Sequence, residues 1–376
     1  MMEVRCWKPE QLGDTEWAQL DALWARDAAR SDPMFAPAIA RELGKVRPDT
    51  RILIAESGGE MTAFWALHLR PGGWARPIGG PFSDWHGAVR VPGSALRQID
   101  LLRAVGISGM TAHALFPETS DPPAGGFRRQ GAWIADLSDG VEALEAEQKR
   151  LFPNHVKRMR SKRARLAETA GEVEFRFDDP DPVAFDWLID RKRRQFHETG
   201  LHDVLGPDWA RAYVDRLRHL EGGPLRCQLS TLRAGGEVIA AEFNMASPTV
   251  MHGWITAYDL DHSKASPGLL LLQDVLRAMP AQGLRRYDCG PGAGHYKHYF
   301  ANMSLPADRG VLACAASPSP MRLAGASWRR LEGALPEVVG GLMSKSRRRF
   351  DQILLSETRL GGRIGGVLGA LRRLGA

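Results

Sequence analysis

Apolar positions recur along this chain in two rhythms, and their order repeats. Arg51-Ile-Leu-Ile-Ala-Glu56 and Met61-Thr-Ala-Phe-Trp-Ala-Leu67 are short β-type runs joined by Ser-Gly-Gly-Glu60, a pattern that predicts strand, tight turn and strand. The same order returns as Cys227-Gln-Leu-Ser-Thr-Leu-Arg233, Ala-Gly-Gly-Glu237 and Val238-Ile-Ala-Ala-Glu-Phe243. Helical segments precede each hairpin, at Glu16–Ala29 and Pro37–Gly44 in the first case and at Pro182–Thr199 and Asp208–Leu220 in the second. A duplicated α/β unit is therefore expected.

The second copy continues with a strand at Met251–Tyr258, a loop from Asp259 to Pro267 and a helix at Gly268–Ala281. In that helix Leu272, Val275, Leu276 and Met279 recur at i, i+3, i+4 and i+7, so one face is buried. Gly283 stops it, and Arg285–Cys289 reads as the next strand, followed by the turn Gly290–Gly294. A break near Asp139–Leu151 divides the chain into units at 1–140 and 141–312, with a tail at 313–376. The expected class is α/β, two mixed-sheet units in tandem followed by a helical C-terminal tail.

Composition narrows the class. The chain has 376 residues, 44% hydrophobic and 25% charged, as in a globular protein with a real core. Met1–Glu10 lacks the apolar run of a secretory signal, and no apolar stretch is long enough to span a bilayer, so a cytoplasmic protein is expected. Cys6, Cys227, Cys289 and Cys314 form no CxxC pair, which suggests neither a disulfide framework nor a metal site. The net charge of +6 is unevenly placed: residues 321–376 carry 11 Lys+Arg against 4 Asp+Glu, so the remainder is close to neutral. This argues against a body-wide nucleic-acid surface. One basic segment, Lys149–Arg165, has eight Lys/Arg and no acid. It reads either as a solvated helix face or as a groove for an anionic substrate.

Candidate chemistry follows from strand alternation. Val238, Ala240, Glu242 and Asn244 share one strand face; His252, Trp254, Thr256 and Tyr258 share one face of the next. A carboxylate in an apolar central strand is costly unless paired or functional, so Glu242 is either half of a structural pair or a general base. His252 is a second base or a satisfied structural histidine, and Tyr258 can protonate a departing thiolate. Ser266, Gly268 and Leu269 begin a helix whose N-terminus suits a pyrophosphate, with Lys264 near enough to add charge, or else form an ordinary Ser-Pro-Gly helix start. Lys297, between Tyr296 and Tyr299, is a candidate anion or oxyanion ligand, or else a surface lysine.

Arg191-Lys-Arg-Arg-Gln195, Gly235-Gly-Glu-Val-Ile-Ala-Ala241, Ala257-Tyr-Asp259, Ser266-Pro-Gly268, Tyr287-Asp-Cys-Gly-Pro-Gly292 and Tyr296-Lys297-x-x-Phe300 occur in an order that resembles the GNAT-related acyltransferases of the CelD type and their FemAB-like relatives. The resemblance covers roughly residues 150–305 and, more loosely, the first unit. It implies two GNAT-like units, the second keeping the better cofactor site. Ser266, Gly268 and Leu269 then fall where acetyl-CoA is held, although the usual Gly-x-Gly/Ala loop is absent. Lys297 falls where FemAB-like relatives place a substrate lysine, and Gln195, Asn244, Asp259 and Tyr296 become substrate contacts. The implied activity is N-acylation of an amino sugar in an exopolysaccharide or its precursor, as in holdfast formation. An aminoacyl-tRNA-dependent transferase and a catalytically silent GNAT scaffold are the alternatives.

In the tail, Leu360, Ile364, Val367, Leu368 and Leu371 form an apolar stripe beside Arg359, Arg363, Arg372 and Arg373. The stripe reads as a packing helix or as an amphipathic element on the cytoplasmic face of the inner membrane. Arg347, Arg348, Arg349 and Asp351 resemble sites that grip cyclic di-GMP, which would make the tail regulatory.

Overall fold

A computed structural model describes residues 2–119, 127–292, 294, 296–314 and 350–372. The strands are β1 (Met2–Trp7), β2 (Thr50–Ser57), β3 (Glu60–Arg70), β4 (Trp74–Pro77), β5 (Val89–Arg90), β6 (Gly109–Leu115), β7 (Arg128–Asp136), β8 (Val173–Arg176), β9 (Arg226–Ala234), β10 (Glu237–Ala246), β11 (Val250–Tyr258), β12 (Arg286–Pro291) and β13 (Met303–Ala313). The helices are α1 (Asp14–Arg26), α2 (Pro37–Gly44), α3 (Gln98–Ala104), α4 (Val141–Leu151), α5 (Pro153–Ala170), α6 (Pro182–Glu198), α7 (Asp208–Arg218), α8 (Pro267–Ala278) and α9 (Lys297–Phe300). Residues 350–356 are helical, and a further helix spans Leu360–Arg372. Among the described residues, no helix is long and apolar enough to cross a membrane.

The two Gly-Gly hairpins form as expected. Gly58 and Gly59, like Gly235 and Gly236, take the positive φ angles that a two-residue turn between twisted strands requires. The internal repeat is a structural one. In the first unit β1, β2, β3 and β4 are antiparallel neighbours and β4 runs parallel to β6; in the second, β8, β9, β10 and β11 are antiparallel neighbours and β11 runs parallel to β12. The crossover helices are α3 and α8.

The two units share one mixed sheet, in the order β1-β2-β3-β4-β6-β13-β7-β12-β11-β10-β9-β8, with β5 beside β3. Each unit gives its last strand to the other. β7 follows β6 in sequence but pairs with β12, while β13 follows β12 but pairs with β6. A cut at residue 140 therefore divides the chain but not the sheet. The largest core is shared as well: Trp17, Leu20 and Leu43 of α1 and α2 belong to the same buried cluster as Phe185, Leu188, Tyr213 and Leu217 of α6 and α7. On the opposite face, Leu271 and Val275 of α8, with Met279 just past its end, pack with Met159 and Leu166 of α5.

The tail's helical turn at 350–356 ends in carbonyls that lack helical partners. They are taken up from both units. Arg70 Nη2 donates to Leu354 O (3.0 Å), Arg47 Nη1 to Leu355 O (3.4 Å) and Trp209 Nε1 to Ser356 O (2.7 Å).

Candidate active site

β11 and β12 pair only through Val250–His252 and Arg286–Asp288. Beyond that point the strands part, and a cavity of about 510 Å³ occupies the opening. α6 lies along one side with Lys192 and Gln195, and the start of α8 closes another with Ser266, Gly268 and Leu269. Glu242, Tyr258, Tyr296 and Lys297 complete the set of expected residues in the wall.

Glu242 is almost fully buried at 2% exposure. Asn244 Nδ2 donates to its Oε1 at 2.5 Å, and Tyr287 Oη lies 3.5 Å from both carboxylate oxygens. Burial pushes its carboxyl up to about 7, against the smaller opposing effect of these two donors. Asn244 is thus a support for Glu242 from behind the wall: its Oδ1 also accepts from the Trp254 amide (3.2 Å). Lys192 Nζ donates to Thr256 O at 3.0 Å, and burial lowers its pKa. Lys297 Nζ donates to the carbonyls of Gly290 (3.3 Å) and Pro291 (3.4 Å). Burial raises the Cys289 thiol and the Tyr296 hydroxyl to about 12 each, so both remain protonated at neutral pH.

His252 corrects the simple alternation. The register steps from Phe243↔Ile255 to Met245↔His252, so β11 holds one extra residue there. This bulge turns His252 to the side of Met245, away from Thr256 and Tyr258, which stay on the side of Glu242. His252 Nδ1 donates to Asp32 Oδ2 (2.9 Å) and Nε2 to Asp84 Oδ2 (3.2 Å), with Asp288 Oδ2 at 4.0 Å. Burial opposes charge on the ring, but Asp32, Asp84 and Asp288 together raise its pKa well above the ordinary value. An imidazolium with both nitrogens donating is no base. Asp32, His252 and Asp288 do bring ligand-type atoms within 4.8 Å of one another, as a metal site would. The ring, however, already spends both nitrogens on carboxylates.

Other expected residues also stand apart from the cavity. Lys264 is exposed outside its wall. Asp259 folds back to accept from the Asp261 amide (3.1 Å), a turn contact. Arg347, Arg348 and Arg349 lie outside the described residues, and Asp351 pairs with Arg76 at 2.9 Å.

The helix start differs from an open fan of amides. Pro267 has no N–H, and the Leu269 and Leu270 amides both turn to Ser266 O (3.0 and 3.2 Å). Lys162 of α5 instead brings a cation there, its Nζ donating to Ser266 Oγ at 2.5 Å. Ser266 itself is left-handed, with φ 54°. Sequence spacing favoured Lys264 because it is close in the chain; Lys162, 104 residues away from Ser266, is close only in space. Lys192, Trp254, Thr256, Tyr287 and Asp84 also line the cavity without having been singled out. The polar run Arg191–Gln195 on one helix was the available signal for Lys192. None existed for Asp84.

Residues 153–298 match the family model of the acetyltransferase (GNAT) domain. The matched span runs from the start of α5 into α9 and holds every wall residue named above except Asp84. A comparison with curated proteins gave no match. Similar solved structures include the C-terminal domain of an Agrobacterium fabrum protein assigned as a lysylphosphatidylglycerol synthetase, at 13% identity and TM-score 0.49 over 83% of this chain and 95% of that one. They also include a tandem GNAT protein from the clavulanic acid biosynthesis pathway (16%, TM-score 0.44, 85% and 100%) and FemX (10%, TM-score 0.45, 70% and 87%).

Proposed function

We propose that this protein is an N-acyltransferase that moves an acetyl group from acetyl-CoA to a primary amine. An amino sugar of an exopolysaccharide or its precursor is the acceptor suggested by the sequence resemblance. One observation carries the reading: a buried carboxyl poised near neutral pH and a helix start reinforced by a lysine line the same cavity. The match of residues 153–298 to the acetyltransferase domain supports it.

The residues present fit the donor. Ser266, Gly268 and Lys162 would hold its phosphates, where the helix dipole and the ammonium both favour an anion. Bound there, acetyl-CoA would supply an activated thioester carbonyl. Glu242, as the carboxylate, takes a proton from the amine directly or through water. The amine nitrogen bonds to the carbonyl carbon as the carbon–sulfur bond breaks. Tyr258, which lines the same cavity, gives the sulfur its proton and regains one from solvent. Holding both partners in one cavity supplies much of the acceleration.

Calorimetric titration with acetyl-CoA and turnover with glucosamine test the reading together. Wild type is expected to bind the donor, and Gly268→Glu to lose it by placing a carboxylate at the helix start. Glu242→Gln should bind normally but turn over about 100-fold more slowly or worse. A chain that ignores every CoA thioester overturns the proposal. If that chain binds tRNA with steep salt dependence, the aminoacyl-tRNA alternative takes its place; its support is α5, which exposes Lys157, Arg158, Arg160 and Arg165 along the helix that carries Lys162.

A further inference from the structure

Almost the whole cavity is built by the second unit, yet one charged wall residue comes from the first. Asp84 sits in the loop between β4 and β5, and its side chain is 44% exposed where it meets the opening. The loop is fastened where β11 and β12 part. Phe82 O accepts from Trp254 Nε1 of β11 at 2.9 Å, and Trp85 Nε1 donates to Asp288 Oδ2 of β12 at 2.7 Å. Ser83 O is held by His113 Nε2 at 2.7 Å. Asp84 thus occupies a fixed position, with hydrogen bonds on three of its near neighbours: Phe82 and Ser83 accept through their carbonyls and Trp85 donates.

Behind it stands a built support. Asp84 Oδ2 takes one end of the His252 ring, and Asp32, also of the first unit, takes the other. His252 is wholly buried. A chain of carboxylate, imidazolium and carboxylate therefore crosses from the first unit through β11 and back, and ends at the cavity. Gly290 makes room for it: a Cβ there would come within 3.0 Å of Asp84 Oδ2 and 3.8 Å of Lys297 Nζ. Enclosure by the wall pushes the Asp84 carboxyl up, but the hydrogen bond and charge of His252, with His113 and Lys297, hold it below the ordinary value. Of the two carboxyls in the wall, Asp84 is the one ionised throughout the neutral range.

We propose that Asp84 is the anionic subsite that seats the ammonium group of the acceptor, with His252 and Asp32 as positioning residues that fix its carboxylate. The inference rests on the acyl-transfer reading for its acceptor class, a primary amine. An amine arrives protonated near neutral pH, and burying that charge requires a counter-ion. Asp84 supplies the counter-ion while Glu242, on β10 in another part of the wall, remains free to remove the proton. The fold thereby makes the second unit's site incomplete without the first.

The test is equilibrium binding to the full chain at pH 6, without donor, using glucosamine and the neutral N-acetylglucosamine as probes. Wild type should prefer glucosamine by 10-fold or more. Asp84→Asn should lose that preference while keeping its affinity for acetyl-CoA, and Asp84→Glu should restore part of it. Asp84→Ser gives the same reading if the Asn variant does not fold. Equal binding of the two sugars by wild type, or an undiminished preference in the variants, overturns the proposal. Failure of acetyl-CoA to bind, with the preference lost in Asp84→Asn, would sink the acyl-transfer reading and leave the ammonium site standing.

Discussion

Glu242 holds its proton to about pH 7 because the sheet places it beneath α8, where solvent cannot support its charge. The same burial makes stability depend on pH. A carboxyl raised from 4.5 to about 7 on folding contributes in full below the lower value, and the contribution is lost as pH rises through the upper one. Glu242→Gln lacks this loss. Relative to wild type it should gain about 1–3 kcal/mol of stability between pH 5 and pH 8, the scale set by a shift of this size. Urea unfolding of both proteins at the two pH values would show it, and an unchanged difference would mean that Glu242 is not desolvated in the folded protein. The residue itself was legible in sequence as a polar break in an apolar strand. Its partners were not: Tyr287 reaches it from β12, 45 residues later.

The bulge in β11 is the decisive element. One additional residue turns His252 away from the cavity and leaves Gly253 facing Tyr287. A Cβ on Gly253 would stand 2.3 Å from Tyr287 Oη and 2.8 Å from its Cζ, so the ring could not keep its place beneath Glu242. Gly253→Ala should cost about 1–3 kcal/mol, as overpacking does. Adding Tyr287→Phe removes the closest contact and should recover part of that cost, giving non-additive unfolding energies. Strict additivity in the double-mutant cycle would show that the two positions do not meet. Alternation along a strand is a backbone rule, and β11 obeys it from Tyr258 back to Ile255 but breaks it between Ile255 and His252; a bulge is set by the partner strand and leaves little local trace.

At the scale of the molecule, the exchange of β7 and β13 binds the units into one sheet. Separate chains 1–140 and 141–376 should each fail to unfold cooperatively by circular dichroism, since each leaves a strand without its neighbour, whereas the intact chain should show a single transition. A cooperative melt of 141–376 alone, near that of the intact protein, would contradict this. The sequence by itself determined the α/β class, the two hairpins, their helix pairs and the helix start at Gly268, because hydrophobic period and glycine turns are local properties. It also named Glu242, Tyr258 and Lys297 as candidates, and all three line the cavity. Only the tertiary structure decided which strand goes to which unit, which way His252 points, that Lys162 reaches Ser266 at the helix start and that Asp84 reaches the cavity. Those depend on contacts between residues 104 and 168 positions apart, Lys162 with Ser266 and Asp84 with His252. No local pattern encodes such distances, because they arise from packing the sheet as a whole.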